Sequence, residues 1–249
     1  MNDKPSVLRE TDDEARKQAR ILLRAARYAA MAVIDPETGF PSVSRVLTGT
    51  DIDGVPVILV SGLSAHTKAL ARDPRASLLF GEPGKGDPLA HPRLSVQCNA
   101  ERVDRENRLY GRIRSRFLAR HPKAKLYADF ADFCFFRLIP LTASLNGGFG
   151  KAYVLPGNDL MILSTASEMI AEQADAIVRE LLAHYPCIIT TIVERLRGSG
   201  GKNWRICGLD MAGIDLIRGD ETLRWEFDPP LSELQGTHTY ISKIAYSIP

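Results

Sequence analysis

The sequence has no excess of either charge and no long apolar run. Its 32 basic and 30 acidic residues give a net charge of +2, which offers no electrostatic case for a nucleic-acid partner. No apolar stretch approaches the roughly 20 residues that cross a bilayer. The highly charged N-terminal segment lacks the apolar core of a signal peptide. These absences predict a soluble, cytoplasmic protein with neither a membrane nor a nucleic-acid partner.

Cysteine and histidine are scarce, and their spacing excludes the common metal and disulfide patterns. The four cysteines form no CxxC, and the five histidines form no HxxxH. Cys98, Cys134, Cys187 and Cys207 are therefore expected to be reduced core residues. No GxSxG elbow occurs either. The sequence thus predicts no metal site, and it contains no catalytic residue that can be named.

The first part of the chain alternates short apolar runs with turn residues. A helix is predicted over residues 12–27, because Thr11 and Glu14 form a capping box and apolar residues follow at helical spacing. Strands are predicted at 29–34, 42–47, 57–60, 76–80, 94–102, 133–138 and 143–145. Short strands at this spacing indicate an antiparallel barrel. A basic helix is predicted over 107–120, with the arginines from Arg112 to Arg120 on a solvated face.

The pattern changes at Pro156-Gly157-Asn158, which predicts a first domain over 1–155 and a second over 156–249. In the second, helices are predicted at 167–183 and 231–247, and strands at 205–209, 213–218 and 222–227. The run 187–196 is β-branched like a strand but has helical length, so both assignments stay open. Helices flanking a small sheet make this an α+β domain. The predicted fold is α+β: an antiparallel split β-barrel followed by a small α+β domain.

The segment 41–70 gathers hydrogen-bond donors suited to an anion. Arg45 lies on a predicted strand, and Ser61 ends the next one. The helix that follows opens with Ser64, His66, Thr67 and Lys68. A guanidinium, hydroxyls, an ammonium and free amides at a helix start are the donors that a phosphate requires. The segment therefore predicts a phosphate-binding site.

Arg45 needs an anionic partner, because strand alternation places it on one face with Val43 and Leu47. An unpaired charge on an apolar face is costly. The partner is either a ligand or a protein carboxylate such as Glu82 or Asp87, and the residues alone leave both open. Histidine at position 66 is either part of the same site or a solvent-facing residue of the first helical turn.

Several blocks of the sequence, in order, resemble one superfamily. They are ARYAAMAVID, PSVSRVL, LVSGLSAHTKAL, DPRASLLFGEPGKGDPLAHPRLSV, ARHPKAKLYADFADFCFFRL and LNGGFGKAYVL. These blocks are similar to the FMN-binding split β-barrel of the pyridoxamine 5′-phosphate oxidase superfamily. With the later ICGLDMAGIDLI, the whole chain resembles the two-domain, HugZ-like haem-utilisation branch.

The resemblance implies a cofactor site and an assembly. Arg45 and Lys68 would hold the FMN phosphate, with His66 next to them. Ser61 and Thr67 would donate hydrogen bonds from their hydroxyls. Val46 and Leu47 would place their backbone beside the flavin ring. Split barrels of this type usually bind flavin between two subunits, so a homodimer is implied. The leading hypothesis is an FMN-binding oxidoreductase with a small-molecule ligand. The alternatives are a haem-binding or haem-degrading protein of the HugZ type with a tetrapyrrole ligand, or a non-catalytic regulatory binding module in tetrapyrrole metabolism.

Two departures from the family pattern bear on these hypotheses. The glutamine that contacts flavin in pyridoxamine phosphate oxidases aligns with Leu94, which argues against pyridoxal chemistry. The DHADA-like start of the second domain reads EQADA here, and no histidine follows Tyr240. His238 is then the nearest candidate for a C-terminal haem ligand, and a weak one.

Overall fold

The computed structural model describes residues 8–148, 150–199, 201–231 and 237–248. Its first part is a seven-stranded antiparallel sheet with the order β3-β2-β1-β4-β5-β6-β7. The strands are β1 (Tyr28–Ile34), β2 (Pro41–Thr50), β3 (Pro56–Ser61), β4 (Arg75–Phe80), β5 (Arg93–Val103), β6 (Phe133–Asn146) and β7 (Ala152–Pro156). Pairing of β3 with β6 closes six of these strands into a barrel and leaves β7 on its edge.

Three helices accompany the barrel strands: α1 (Asp13–Ala25), α2 (Ala65–Arg72) and α3 (Tyr110–Arg120). Helix α1 contributes Ala15, Ala19 and Leu23 to the barrel core, as its predicted apolar stripe requires. Its cap differs from the prediction: Asp12, not Thr11, accepts the first-turn hydrogen bond, from the amide of Ala15 at 2.7 Å. The hydroxyl of Thr11 donates instead to Val154 on β7, so the capping box is wrong.

Strand β6 is one continuous strand where two were predicted. The gap in the prediction was caused by Pro140, which cannot donate to a sheet ladder. In the structure Pro140 lies opposite Cys98, where the β5–β6 register shifts between Gln97 and Cys98. A bulge at this point accommodates the missing amide without ending the strand.

The second part is a three-stranded antiparallel sheet with the order β10-β9-β8 and three helices. Its elements are α4 (Ser167–His184), α5 (Ile188–Arg197), β8 (Arg205–Asp210), β9 (Gly213–Arg218), β10 (Glu221–Glu226) and α6 (Thr237–Ser247). The ambiguous run at 187–196 is helix α5, which buries Ile188, Ile192 and Val193 on one face. The beginning of the helix predicted over 231–247 falls partly outside the described residues. A split barrel followed by a small α+β part confirms the predicted fold class.

The described helices are not suited to span a bilayer one by one. No single helix is long and apolar enough to cross a bilayer, and only α4 and α5 taken together, with an 88° bend between them, meet the length and composition required. Their apolar residues Ile170, Ile177 and Ile192 are buried in the core of the second part.

The arginines of α3 do not form the solvated face that the sequence predicted. Arg112 makes two hydrogen bonds to the buried carboxylate of Asp51 (2.8 and 2.9 Å). Arg116 donates to the carbonyl of Leu209 at 2.6 Å, and the buried Arg120 donates to that of Arg24 at 2.5 Å. These arginines recur every fourth residue, so they form one stripe. That stripe packs between the barrel and the second sheet.

A buried ion-pair network continues across this junction. Arg224 on β10 donates to Asp210 (2.6 Å), Asp215 (3.1 Å) and Glu226 (3.0 Å). Burial alone would raise the pKa of Asp210, but the surrounding arginines lower it below its usual range. Arg20 on α1 reaches Glu226 at 2.5 Å, which connects the barrel helix to the second sheet through charge as well as through packing.

Candidate functional site

Strand β2 and helix α2 come into contact through Ser44 and His66. The hydroxyl of Ser44 on β2 lies 3.2 Å from Nδ1 of His66 on α2. Val43, Arg45 and Leu47 share one face, as predicted, but this face is the exposed outer surface of the barrel. Val46 points the other way into the core, so only its backbone is available to a ligand.

Arg45 forms no ion pair with any described residue. Its guanidinium lies 5.1 Å from the centre of the Tyr28 ring. The two carboxylates that could have paired with it have other partners. Glu82 hydrogen bonds to Tyr28, which raises the pKa of that phenol, and Asp87 accepts the amide of Leu89 at 2.8 Å. The charge of Arg45 is therefore available to a ligand.

The start of α2 supplies further uncommitted donors. Ser64 is the N-cap, but its side chain makes no capping hydrogen bond. The hydroxyl of Thr67 is buried and has no hydrogen-bond partner in the described structure. Lys68 is exposed and pairs with no described carboxylate. We call Arg45, Ser64, His66, Thr67 and Lys68 the cradle.

His66 is the imidazole of the cradle. It is half-buried, and burial lowers the pKa of its ring, which favours a neutral ring at neutral pH. Its Nδ1 is shared with Ser44, and its Nε2 forms no hydrogen bond with a described residue. A neutral imidazole with one free nitrogen is the form that binds a metal ion.

Ser61 lies beside α2, but its hydroxyl already has partners. It donates to Oδ2 of Asp132 at 2.6 Å and accepts from the amide of Leu63 at 3.2 Å. The predicted role of Ser61 as a phosphate donor stays a prediction, because it would require the bond to Asp132 to break.

A groove of about 350 Å³ lies on the same outer face as Arg45. Its walls include Ala32, Pro41, Ser77, Gln97 and Leu141. The register of β1 and β2 places the groove near Arg45, because Ala32 in the groove wall pairs with Val43, two residues from Arg45. The groove is mostly apolar and suits the face of a flat ring system.

Gln97 is a residue that the sequence analysis missed. Leu94, which takes the place of the family glutamine, is fully buried in the barrel and cannot reach a ligand. Gln97 lies on the same strand, points outward and lines the groove. The outward alternation of Ser95 and Gln97 along β5 was the signal that could have found it.

The structure does not bring His238 to the cradle. His238 lies on α6, and its exposed ring pairs through Nδ1 with Glu180 on α4 at 2.9 Å. Both helices belong to the second part, which contributes no cradle residue. Among the described residues no group of three or more histidine, cysteine or acidic side chains could hold a metal ion.

The cysteines also depart from one expectation. Three are buried, and burial raises the pKa of Cys98 to about 12 and that of Cys207 to about 11. Cys187 is exposed at the start of α5, so it is not the core residue that was predicted.

The chain is similar to one protein family and to two proteins named as heme oxygenases. The sequence profile of the pyridoxamine 5′-phosphate oxidase family matches residues 15–146. The chloroplastic heme oxygenase HOZ of Arabidopsis thaliana is 35% identical over 48% of this chain and 36% of its own length. The heme oxygenase HutZ of Vibrio cholerae is 27% identical over 53% of this chain and 75% of its own. The chain therefore spans only about a third of the plant relative.

A solved structure extends the likeness to both parts of the chain. A protein of unknown function from Agrobacterium tumefaciens is 28% identical, and the match covers 98% of this chain and 100% of the other, with a TM-score of 0.79. The barrel, the profile match and these relatives agree with the resemblance found in the sequence. The chain belongs to the pyridoxamine 5′-phosphate oxidase family, in its HugZ-like branch.

Proposed function

We propose that the protein binds haem, as a HugZ-type haem-binding or haem-degrading protein, and that Arg45 and Lys68 of the cradle hold the haem carboxylates. The observation that carries this proposal is the pair Arg45 and Lys68, two exposed cations without a carboxylate partner in the described structure. Arg45 lies on the same outer barrel face as an apolar groove. The two relatives named as heme oxygenases support the choice of ligand.

The residues fit such a ligand in charge and in shape. Haem carries two carboxylates on a flat apolar ring, and Arg45 and Lys68 supply one cation for each carboxylate. The groove beside Ala32 and Leu141 suits the ring. Bound haem would supply a redox-active iron, which is the chemistry needed to open a tetrapyrrole oxidatively.

In this proposal His66 would hold the haem iron. Its ring is held by Ser44 through Nδ1, which leaves Nε2 as the coordinating atom. His238 is the alternative, but its Nδ1 pairs with Glu180 and its ring lies apart from the cradle. Haem binding by His66→Gln and His238→Gln distinguishes them: we expect only the first to change the iron spectrum.

A homodimer would complete the site. The outer barrel face exposes Phe40, Val43, Leu79, Leu141 and Val154, an apolar surface that a second copy would cover. Water would then be excluded from the groove, which strengthens the ionic contacts of Arg45. Sedimentation of the wild type and of Val43→Glu tests this: we expect a dimer and a monomer.

Haem titration followed by absorbance tests the main proposal. We expect a saturable Soret band at one haem per chain with micromolar or tighter affinity. Free FMN, added in the same series, serves as the competing cofactor. Absence of a saturable haem band would contradict the proposal.

FMN is the second candidate, and one observation favours it specifically. The hydroxyl of Thr67 is buried without a partner beside the uncapped start of α2, an arrangement suited to a phosphate oxygen. If FMN binds in place of haem, Thr67→Val should weaken FMN binding about tenfold. An unchanged FMN affinity in this variant would contradict a phosphate at Thr67.

A further inference from the structure

Further apolar residues are exposed at one end of the barrel, where β3 ends and β6 begins. Leu63 is 77% exposed, Leu126 is 78% exposed and Phe130 is 56% exposed. Single exposed apolar residues are common and need no explanation. Three on one surface, next to two lysines, require one.

Backbone contacts bring the segments that carry these three residues next to one another. The amide of Gly62 donates to the carbonyl of Asp132 at 2.6 Å, which places the loop with Leu63 beside the segment that carries Phe130. The amide of Phe130 donates to the carbonyl of Tyr127 at 3.0 Å, and Leu126 is the residue before Tyr127. We call Leu63, Leu126 and Phe130, with Lys123 and Lys125, the end patch.

The charges around the end patch are mainly positive. Lys123 and Lys125 are exposed and pair with no described carboxylate. The neighbouring Asp129 is neutralised by Arg114 at 2.6 Å. Arg105 adds a further positive charge, because it donates only to the carbonyls of Asp129 and Phe130.

One carboxylate opposes this charge. Asp132 accepts the hydroxyl of Ser61 and pairs with no described cation. Three uncompensated cations against one carboxylate leave the surface positive, with apolar side chains projecting from it.

We propose that the end patch docks this protein on an anionic lipid surface. Apolar side chains that enter the interface, surrounded by lysines that contact anionic headgroups, are the features of peripheral membrane binding. Such binding needs no spanning helix, so it agrees with the helices described above. The proposal rests on the surface alone and does not depend on the proposed haem site.

Leu63 directly precedes Ser64 of the cradle. A protein docked through the end patch therefore holds the entrance of its ligand site near the lipid surface. Apolar ring compounds partition into lipid, so this arrangement suits the uptake of such a ligand from a membrane.

Vesicle co-sedimentation of the whole protein tests the proposal. Phosphatidylcholine vesicles with about 30% phosphatidylserine are compared with pure phosphatidylcholine vesicles. We expect binding to the first only, and its loss in about 0.5 M salt. Lys123→Gln/Lys125→Gln should weaken binding roughly tenfold, and Leu63→Ser/Leu126→Ser should do the same.

Matched controls keep the test specific. Leu163→Ser and Tyr246→Ser change residues that are 75% and 89% exposed elsewhere, and both should bind vesicles like the wild type. Leu63→Ser/Leu126→Ser leaves the Phe130–Phe133 ring contact in place, so it should keep the wild-type melting temperature.

Three results would overturn the proposal. The first is no binding to the anionic vesicles. The second is equal binding by the Leu63→Ser/Leu126→Ser variant and the wild type. The third is a change of oligomeric state in that variant, which would show that the end patch contacts a second copy of the chain.

Discussion

Two groups of cations in this protein have contrasting surroundings. At the junction of the two sheets, Arg112 and Arg224 each meet at least one buried carboxylate. On β2 and α2, Arg45 and Lys68 meet no described carboxylate, although the sequence left Glu82 and Asp87 open as partners of Arg45. The first region uses its charges to join two parts of the fold, whereas the second leaves its charges open.

The difference shows how structural and ligand-binding charges can be separated. A buried cation without a partner is unstable, so the junction had to supply carboxylates. An exposed cation loses little by remaining unpaired, and a ligand can then use its full charge. The open pair is therefore where function is to be sought, and the junction is where stability is.

The largest expected effect is at the junction. Arg224→Met leaves Asp210, Asp215 and Glu226 buried with too few cations, and we expect a loss of about 3–5 kcal/mol in the free energy of unfolding. Urea denaturation measures it. The exposed Arg45→Met is the matched control and should stay within about 0.5 kcal/mol of the wild type. Equal stability of both variants would show that the buried network at the junction contributes no more to stability than an exposed arginine does.

Acid should destabilise the protein through His121, at the C-terminal end of α3. His121 is buried and donates to the carbonyl of Thr48, and burial lowers its pKa to about 4. The unfolded chain takes up this proton near pH 6.5, so stability should fall as the pH drops from about 6.5 to about 4, by up to about 3 kcal/mol.

Unfolding of the wild type and of His121→Gln across this pH range measures the effect. The amide of Gln can replace the hydrogen bond to Thr48 but does not titrate. The variant should lose the pH dependence in this window. If it keeps the same slope, His121 is not the titrating group.

Thr67 gives a smaller effect, of opposite sign. Its buried hydroxyl lacks a partner, so Thr67→Val should stabilise the ligand-free protein by about 1 kcal/mol. Thermal unfolding without ligand measures this. A destabilised variant would show that the Thr67 hydroxyl has a hydrogen-bond partner in the ligand-free protein and is not open to a ligand.

The smallest effect is expected at Ser61. Because its hydroxyl is committed to Asp132, Ser61→Ala should change haem affinity by less than about twofold. Titration of the variant beside Lys68→Met measures the contrast within one site. A tenfold loss in Ser61→Ala would show that Ser61 contributes to ligand binding after all.

The sequence predicted the barrel better than it predicted the junction, while the cradle stays a prediction. Strand alternation and turn residues are local signals, so β1 to β5 could be read directly, and the donors near Ser64 are neighbours along the chain. The partners of Arg112 and Arg120 are distant in sequence, so their helical stripe resembled a solvated face. Pro140 hid the continuity of β6, because the bulge that accommodates it is visible only in the pairing of β6 with β5.

The central claim is that Arg45 and Lys68 are open because they hold a ligand carboxylate. Haem titration of Arg45→Met/Lys68→Met tests it most directly, with Arg102→Met as the control, because Arg102 is exposed and paired with Asp104. We expect the double variant to lose at least about tenfold in haem affinity and the control to bind haem like the wild type. Both variants should keep the wild-type free energy of unfolding. Equal haem affinity in the double variant and the wild type would contradict this claim.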